Sequence, residues 1–166
     1  MPKKKSKVKT SGNVIVTIYH GDKKVDIRNK HNTGNINLCK YIRDALIGKH
    51  VISSRPYFIV PCRLETGSLT SLVPLISYGI PLTGTQLTED GISAYATLRF
   101  LIPSAVLSAG SIINGFRLYG NGERVEPDNL YAEVNYGEEG IEINESNTNL
   151  DVKWTLEISY TKESEV

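Results

Sequence analysis

The sequence has few cysteines and none of the residue groupings that form common metal sites. Its two cysteines, Cys39 and Cys62, are too few for a disulfide scaffold, and no CxxC motif or Cys/His cluster has metal-ligand spacing. We therefore expect free thiols, no metal and no cofactor. Cys39 lies on the apolar side of a predicted helix, where a cysteine is usually a small core side chain.

Long hydrophobic runs are also absent. Nowhere do 18 apolar residues occur together, and the first 40 residues contain no apolar run of signal-peptide length. These absences argue against a membrane span and against secretion. We expect a soluble protein that is made in a reducing compartment, the cytoplasm of the cell.

The motifs of common enzymes are missing as well. There is no GxSxG nucleophile elbow, and the glycines near residue 120 do not form a phosphate-binding loop. Glu138 and Glu139 are adjacent in a polar segment, whereas acid/base pairs need two carboxylates in different environments. The sequence predicts a protein that is not an enzyme.

The formal net charge of +1 conceals a strong polarity along the chain. Residues 1–120 contain 16 basic and 6 acidic side chains, a balance of +10, and residues 121–166 contain 3 basic and 12 acidic ones, a balance of −9. Such polarity is neutralised either within one fold or between neighbouring copies. The sequence leaves both arrangements open.

The clearest pattern in the chain is the alternation from Leu150 to Tyr160. Six apolar side chains alternate with polar ones, which is typical of a strand with one buried face. The apolar positions are Leu150, Val152, Trp154, Leu156, Ile158 and Tyr160. Because an inward Trp needs a large apolar surface opposite it, we expect a second layer over this face, with Trp154 in the core.

Further strands are predicted along the rest of the chain, about eight in all. They are a hairpin over 13–27 with its turn at Gly21-Asp22, then strands near 56–64, 92–102, 112–119, 130–136 and 141–143, and the final strand. Pro61 argues against a central place for the strand at 56–64. The fold class is mainly β, and residues 13–166 form a single antiparallel β-sandwich or jelly-roll-like domain.

One amphipathic helix is predicted over about residues 36–47. Its apolar residues recur at helical spacing, Asn35 is the N-cap candidate, and Gly48 stands where a C′ glycine belongs. In a chain that is otherwise β-rich, such a helix most simply covers one open face or end of the sandwich.

Residues 1–12 are predicted to be a flexible basic arm. They contain five lysines and, apart from Met1, a single hydrophobe, so burial cannot offset the entropy lost on ordering. The lysines are candidates for contact with an acidic partner or with DNA phosphates, the alternative being a solubilising terminus. These candidates are Lys3, Lys4, Lys5, Lys7 and Lys9.

A long loop is predicted at about residues 65–91, with at most short strands. Its composition shifts to Thr, Ser, Gly, Pro and Leu, with few charges, which favours burial against another chain over exposure to water. The candidate partner-binding residues in this loop are Leu72, Leu75, Ile76 and Leu82.

Several segments together resemble small virion structural proteins of tailed bacteriophages. The segments are HNTGNINLCKYIRDALIG at 31–48, RPYFIV at 55–60, ATLRFLIPSAVLSAGSIINGFRLYG at 96–120, LYAEV at 130–134 and NTNLDVKWTLEISY at 147–160. The likeness is to head auxiliary, decoration or head-fibre base proteins, including those of crAss-like phages. It implies a non-enzymatic protein that binds the major capsid protein or other virion proteins and resides in the virion.

Two other functions stay open at this stage. A nucleic-acid-binding module would use the lysine arm and would bind DNA without sequence preference. A host carbohydrate-recognition sandwich, such as that of a head fibre, would need an exposed aromatic platform. The tyrosines that could supply it are Tyr57, Tyr78, Tyr95, Tyr119, Tyr131 and Tyr136.

Overall fold

The computed structural model describes residues 6–48, 57–72, 79–120 and 127–162. In these ranges the chain is mainly β, with antiparallel sheets and a single α-helix in a β-sandwich-like fold, which confirms the predicted fold class. The strands in chain order are β1 (Ser6–His20), β2 (Lys23–His31), β3 (Thr33–Gly34), β4 (Tyr57–Glu65), β5 (Ser68–Ser71), β6 (Ile80–Pro81), β7 (Gly84–Glu89), β8 (Ser93–Ile102), β9 (Ile112–Ile113), β10 (Gly115–Gly120), β11 (Leu130–Asn135), β12 (Ile141–Glu142) and β13 (Thr148–Lys162). The helix is α1 (Ile36–Leu46), and short 3₁₀ turns occupy Ser104–Val106 and Pro127–Asn129.

Sheet A has five strands in the order β2-β1-β13-β8-β7. Its centre is the antiparallel pair of β1 and β13, which runs from Ser6 opposite Lys162 to His20 opposite Thr148. The predicted hairpin of β1 and β2 is confirmed, with Gly21 in the positive-φ conformation at its turn. The N-terminal and C-terminal strands therefore hold each other in the middle of the sheet.

Sheet B has the order β3-β11-β10-β4-β5, with β6 also paired to β4, and β9 and β12 form a separate two-stranded ladder. Contrary to the expectation from Pro61, β4 lies inside this sheet. The N–H of Leu72 donates to the Pro61 carbonyl at 2.9 Å, so the missing proline N–H points to the same side. There the regular ladder to β5 ends at Cys62 and the ladder to β6 begins at Ile59, so the missing N–H falls in the gap between the two neighbouring strands.

The main core lies between the inner faces of sheets A and B. It contains fully buried side chains from both sheets and from the β9/β12 region, among them Val14, Ile59, Leu98, Phe100, Ile113, Phe116, Leu118, Ile141, Val152 and Trp154. Two long basic side chains of β2 reach across the gap to the other side of the sandwich. Arg28 donates to the Glu139 carbonyl at 3.2 Å and Lys30 to the Asn135 carbonyl at 2.5 Å.

The predicted strand at 112–119 is two strands that belong to different sheets. The break falls at Asn114, which is buried, and its side-chain amide forms hydrogen bonds to two segments that are distant in the sequence. Its Oδ1 accepts from the Leu64 N–H at 2.9 Å, and its Nδ2 donates to the Gly137 carbonyl at 2.8 Å. The described residues contain thirteen strands in place of the predicted eight. The additional five are β9, which results from this break, the short β3, and the three strands β5, β6 and β7 within the predicted loop.

The prediction of a flexible arm over residues 1–12 is wrong from residue 6 onward. Ser6 to Gly12 belong to β1 and pair with the last part of β13. The segment has little to bury, and it is ordered by backbone hydrogen bonds that its composition does not reveal. Residues 1–5 lie outside the described residues.

The predicted loop at 65–91 also contains more strand than expected. β5, β6 and β7 lie within it, and β7 is a six-residue strand of sheet A. Residues 73–78 lie outside the described residues. The short strands that were allowed for in this segment are confirmed, and the irregular connection between them is shorter than predicted.

Helix α1 begins and ends close to the predicted residues. The Asn37 N–H donates to Asn35 Oδ1 at 3.0 Å, which confirms the N-cap, and Gly48 follows the helix with a φ of 74°. None of its residues is fully buried, and Leu46 is largely exposed. Within the described part of the chain no helix is long and apolar enough to cross a membrane.

Candidate functional site

The inner face of sheet A is covered along only part of its length. Along β13, Leu150, Val152 and Trp154 are at most 1% exposed, as the alternation predicts. Further along the same face of β13, Ile158 is 45% exposed and Tyr160 is 44% exposed. The prediction of six buried positions is therefore wrong for the last two, because sheet B ends before β13 does.

A hydrogen bond at Trp154 marks the end of the covered region. The indole N–H of Trp154 donates to Asn32 Oδ1 at 3.1 Å, and Asn32 is the residue that connects sheet A to sheet B between β2 and β3. The Asn32 side chain lies against Gly12, where a Cβ would be 1.8 Å from Oδ1. Glycine is needed at this position because the amide occupies the space of a side chain.

Beyond Trp154 the inner face of sheet A forms an apolar surface that we call the open strip. It consists of Leu87 on β7, Ala94 and Ala96 on β8, and Leu156 and Ile158 on β13, which face one another in register. Leu87 is 76% exposed. The strip continues past Ala94 and Ile158 into a second shallow groove bounded by Ile92 and Tyr160.

Helix α1 stands beside the open strip without filling the space in front of it. A groove of about 270 Å³ separates the strip from Leu38, Tyr41 and Ile42 of the helix and from Tyr57 of β4. The helix thus lies at the open end of the sandwich, as its amphipathic pattern predicts. It provides one wall of a groove rather than a cover.

Three tyrosines form the base of this wall. The ring centroid of Tyr131 is 5.3 Å from that of Tyr41 and 6.3 Å from that of Tyr57. Burial raises the pKa of Tyr57 to about 12, with smaller contributions from Tyr41, so the phenol is neutral at physiological pH. The tyrosines hold the helix against sheet B and keep one side of the groove apolar.

The outer face of sheet A has a different character at the same positions. There, side chains of β8 and β13 pair with one another: Thr97 with Thr155 at 3.1 Å, and Ser93 with Glu157 at 2.9 Å. Arg99 and Asp151 form a bidentate pair at 3.1 and 2.8 Å. This face satisfies its polar groups internally, whereas the open strip has apolar side chains that face solvent.

Of the predicted lysine candidates, the structure describes the two that lie in β1. Lys7 pairs along the backbone with Thr161 and Lys9 with Ser159, and the Lys9 side chain is exposed. Lys3, Lys4 and Lys5 lie outside the described residues.

Two of the residues predicted to bind a partner, Leu72 and Leu82, pack partly against the core. Leu72 and Leu82 are partly buried against the main core, and the Leu82 N–H donates to the Tyr57 carbonyl at 3.1 Å. Because backbone hydrogen bonds hold both residues along β4, their side chains turn inward. Leu75 and Ile76 lie outside the described residues. The exposed apolar residues in this part of the chain, Leu87 and Ile92, lie further along and were not predicted.

Part of the charge polarity is neutralised within the fold. Two ion pairs join the basic and acidic parts of the chain: Arg99 with Asp151 at 2.8 Å and Arg117 with Glu133 at 2.9 Å. The partner hydrogen bond raises the pKa of the Arg99 guanidinium further above its ordinary value.

The other candidates of the sequence analysis form no reactive group. Cys39 is exposed on α1 rather than in the core, because the helix buries so little of itself. Cys62 is buried, and burial raises the pKa of its thiol to about 12. No group of three or more metal-ligating side chains occurs in residues 6–48, 57–72, 79–120 and 127–162.

The described tyrosines that could supply an aromatic platform do not form one exposed surface. Tyr119 and Tyr131 are buried, and Tyr136 packs edge-on against Phe116 with its pKa raised to about 12 by burial. The Tyr95 hydroxyl donates to Asp90 at 2.8 Å. Tyr78 lies outside the described residues.

Comparisons with known proteins do not indicate a function for the chain. No family model, curated protein or solved structure matches the chain.

Proposed function

We propose that the chain is a non-enzymatic structural component of a tailed-phage virion, which attaches to the capsid lattice as an auxiliary or decoration protein. The observation that carries the proposal is the open strip, with exposed apolar side chains at Leu87 and Ile158 beside an apolar groove. A contiguous exposed apolar surface marks an interaction site in a protein of this size. The resemblance of five segments to small virion proteins supplies the kind of partner.

The shape of the surface suits attachment to another protein. Its floor is a regular three-stranded stretch of sheet held by backbone ladders, so little order has to be gained on binding. On a capsid the same contact is repeated many times, and a modest affinity for one site is strengthened by neighbouring contacts. The partners we propose are the major capsid protein or another virion protein.

The lysines at the N-terminus have a secondary role in this proposal. We expect them to lie on an acidic shell surface, where their contribution weakens as salt rises. Since Ser6 to Gly12 are part of β1, a deletion that tests this role is limited to residues 1–5, so that all described residues of β1 are kept. Shell binding that is equally strong with and without residues 1–5 contradicts the role of Lys3, Lys4 and Lys5 but not that of the strip.

The test is cosedimentation of the purified protein with genome-free capsids of the tailed phage whose virion would contain it. We expect saturable binding that Ile158→Lys lowers at least tenfold, because the change puts a charge into a desolvated contact. The matched control is Ile27→Lys on β2, since Ile27 is 49% exposed and Ile158 45% exposed, and Ile27 lies at the opposite edge of sheet A.

Two results would contradict the proposal. One is the absence of shell binding by the unmodified protein under any salt condition. The other is retention on DNA alone, lost as salt rises, which would favour a nucleic-acid-binding function for the basic N-terminal segment. Equal loss of binding in Ile158→Lys and Ile27→Lys would remove the open strip from the contact.

A further inference from the structure

The two edges of sheet A differ in how well they are protected against pairing with another strand. The β2 edge is rich in charge, with Lys23, Lys24, Asp26, Arg28 and Lys30 along nine residues. The β7 edge has the sequence GTQLTE, in which Glu89 is the only charged residue, and it contains no proline. Charged side chains and prolines are the usual means of blocking an edge strand, and β7 lacks both along most of its length.

The outward-facing backbone groups of β7 follow from its pairing with β8. Asp90 N–H donates to the Ser93 carbonyl at 3.1 Å, which makes Asp90 and Ser93 a hydrogen-bonded pair of the hairpin. Since such pairs alternate in an antiparallel ladder, Thr88, Gln86 and Gly84 also point toward β8. The N–H and C=O groups of Thr85, Leu87 and Glu89 therefore point away from the sheet, and in the described part of the chain no strand pairs with them.

We propose that β7 pairs with β7 of a second copy of this chain, in an antiparallel arrangement with the two-fold axis at Leu87. In this register Leu87 faces Leu87 of the other copy, and Thr85 faces Glu89. All three outward residues of each copy are then in hydrogen-bonded pairs, about six bonds in total. The two sheets A join into one continuous sheet.

The side chains are complementary in the same register. Leu87, which is 76% exposed, meets its own copy across the axis with Cα atoms about 5.5 Å apart. Glu89 faces Thr85 instead of another Glu89, so like charges are not opposed. The surface is the same on both copies, which is what a two-fold interface requires. The open strips of the two copies become neighbours on one side of the joined sheet.

This inference concerns the edge of sheet A and does not rest on attachment to a capsid. The shell contact is tested at Ile158 on β13, whereas self-association is tested first at the backbone of β7, with Thr85→Pro. Leu87 belongs to both surfaces, so Leu87→Lys is used only to measure dimerisation. The variants for the two tests are therefore different, and either proposal can fail while the other holds.

The experiment is sedimentation equilibrium of the full chain over a range of concentrations. We expect a mass of twice 18.4 kDa at high concentration. Thr85→Pro removes an outward N–H without touching the β8 ladder, and we expect it to raise the dimer dissociation constant at least tenfold. Asn29→Pro is the matched control, because Asn29 has an outward N–H at the β2 edge, and we expect its dimerisation to be unchanged.

A second variant keeps the test decisive if the proline disturbs folding. Leu87→Lys retains every backbone group and places two like charges on the axis, so we expect weaker dimerisation that recovers partly at high salt. A far-UV circular dichroism melt confirms that each variant is folded. A monomeric unmodified protein at all concentrations, or Thr85→Pro and Leu87→Lys variants that dimerise normally, would overturn the proposal.

Discussion

The two halves of the inner face of sheet A are alike in sequence and different in environment. Val152 and Trp154 are fully buried, whereas Ile158 and Tyr160, on the same face of the same strand, are about half exposed. The alternation of β13 continues without a break from one half to the other. Periodicity therefore identifies the face of the strand to which a side chain belongs. Whether that face is buried depends on whether sheet B lies over it.

The largest predicted difference between the halves is in stability. Trp154→Ala removes the largest buried side chain, and we expect it to lower the free energy of unfolding by about 3–5 kcal/mol. Ile158→Ala, in the open half, should change it by less than about 0.5 kcal/mol. Urea unfolding followed by circular dichroism measures both. Similar costs for the two variants would mean that the open strip is covered in solution.

The boundary between the halves provides a sharper test. Asn32→Ala leaves the buried indole N–H of Trp154 without its acceptor, which should cost about 1–3 kcal/mol. Gly12→Ala should cost a similar amount, because its Cβ displaces the Asn32 side chain.

If both changes act through the same hydrogen bond, their effects are not additive. We therefore expect the Gly12→Ala, Asn32→Ala double variant to be about as stable as Asn32→Ala alone, as measured by urea unfolding. Full additivity of the two costs would show that Gly12 acts independently of the amide.

The covered regions should also be recognisable by alkaline titration. Burial raises the pKa values of Tyr57 and Tyr136 to about 12, above the ordinary value of 10.0. The folded state thus keeps protons that the unfolded chain releases, so their contribution to stability is complete below pH 10 and is lost as pH rises toward 12.

Each of these tyrosines should lower stability by about 1.4 kcal/mol per pH unit in that window. Urea unfolding at several pH values measures the slope, and absorbance at 295 nm reports when the phenols ionise. Tyr57→Phe removes one of the groups and should make the slope shallower. An unchanged slope in that variant would contradict the burial of its phenol.

The smallest predicted difference is in the reactivity of the two cysteine thiols, and it involves no change in stability. Cys39 is exposed on α1, and Cys62 is buried with its pKa raised to about 12. We expect a thiol reagent to modify one cysteine per chain in buffer and two in urea. Cys39→Ser is the control and should react only after unfolding. Rapid modification of both thiols in buffer would mean that sheet B opens readily near β4.

Parts of the fold could be predicted because they depend on local chemistry. The alternation in β1, β8 and β13, the hairpin turn at Gly21 and the cap at Asn35 all reflect preferences that operate within a few residues. The breaks in the pattern were harder to find. The division at Asn114 depends on partners at Leu64 and Gly137, which are distant in the sequence.

The candidate site was mostly missed for the same reason. Leu72 and Leu82 were predicted to bind a partner because they lie in an apolar segment, and in the structure both are partly buried against the core. Ile158 was assigned to the core and is exposed. Exposure is a property of the neighbours of a residue, and the sequence of the segment itself contains little information about them.

By itself, the sequence determined the main alternating strands such as β8 and β13, which side of each is apolar, and where the one described helix begins. These features depend on side-chain periodicity and on capping, which operate over one or two turns. Only the tertiary structure decided that Ser6 to Gly12 are ordered and that sheet B covers half of sheet A. The first depends on how far β1 extends beside β13, and the second on how far sheet B extends over sheet A. Both lengths are set by contacts between segments that are distant in the sequence.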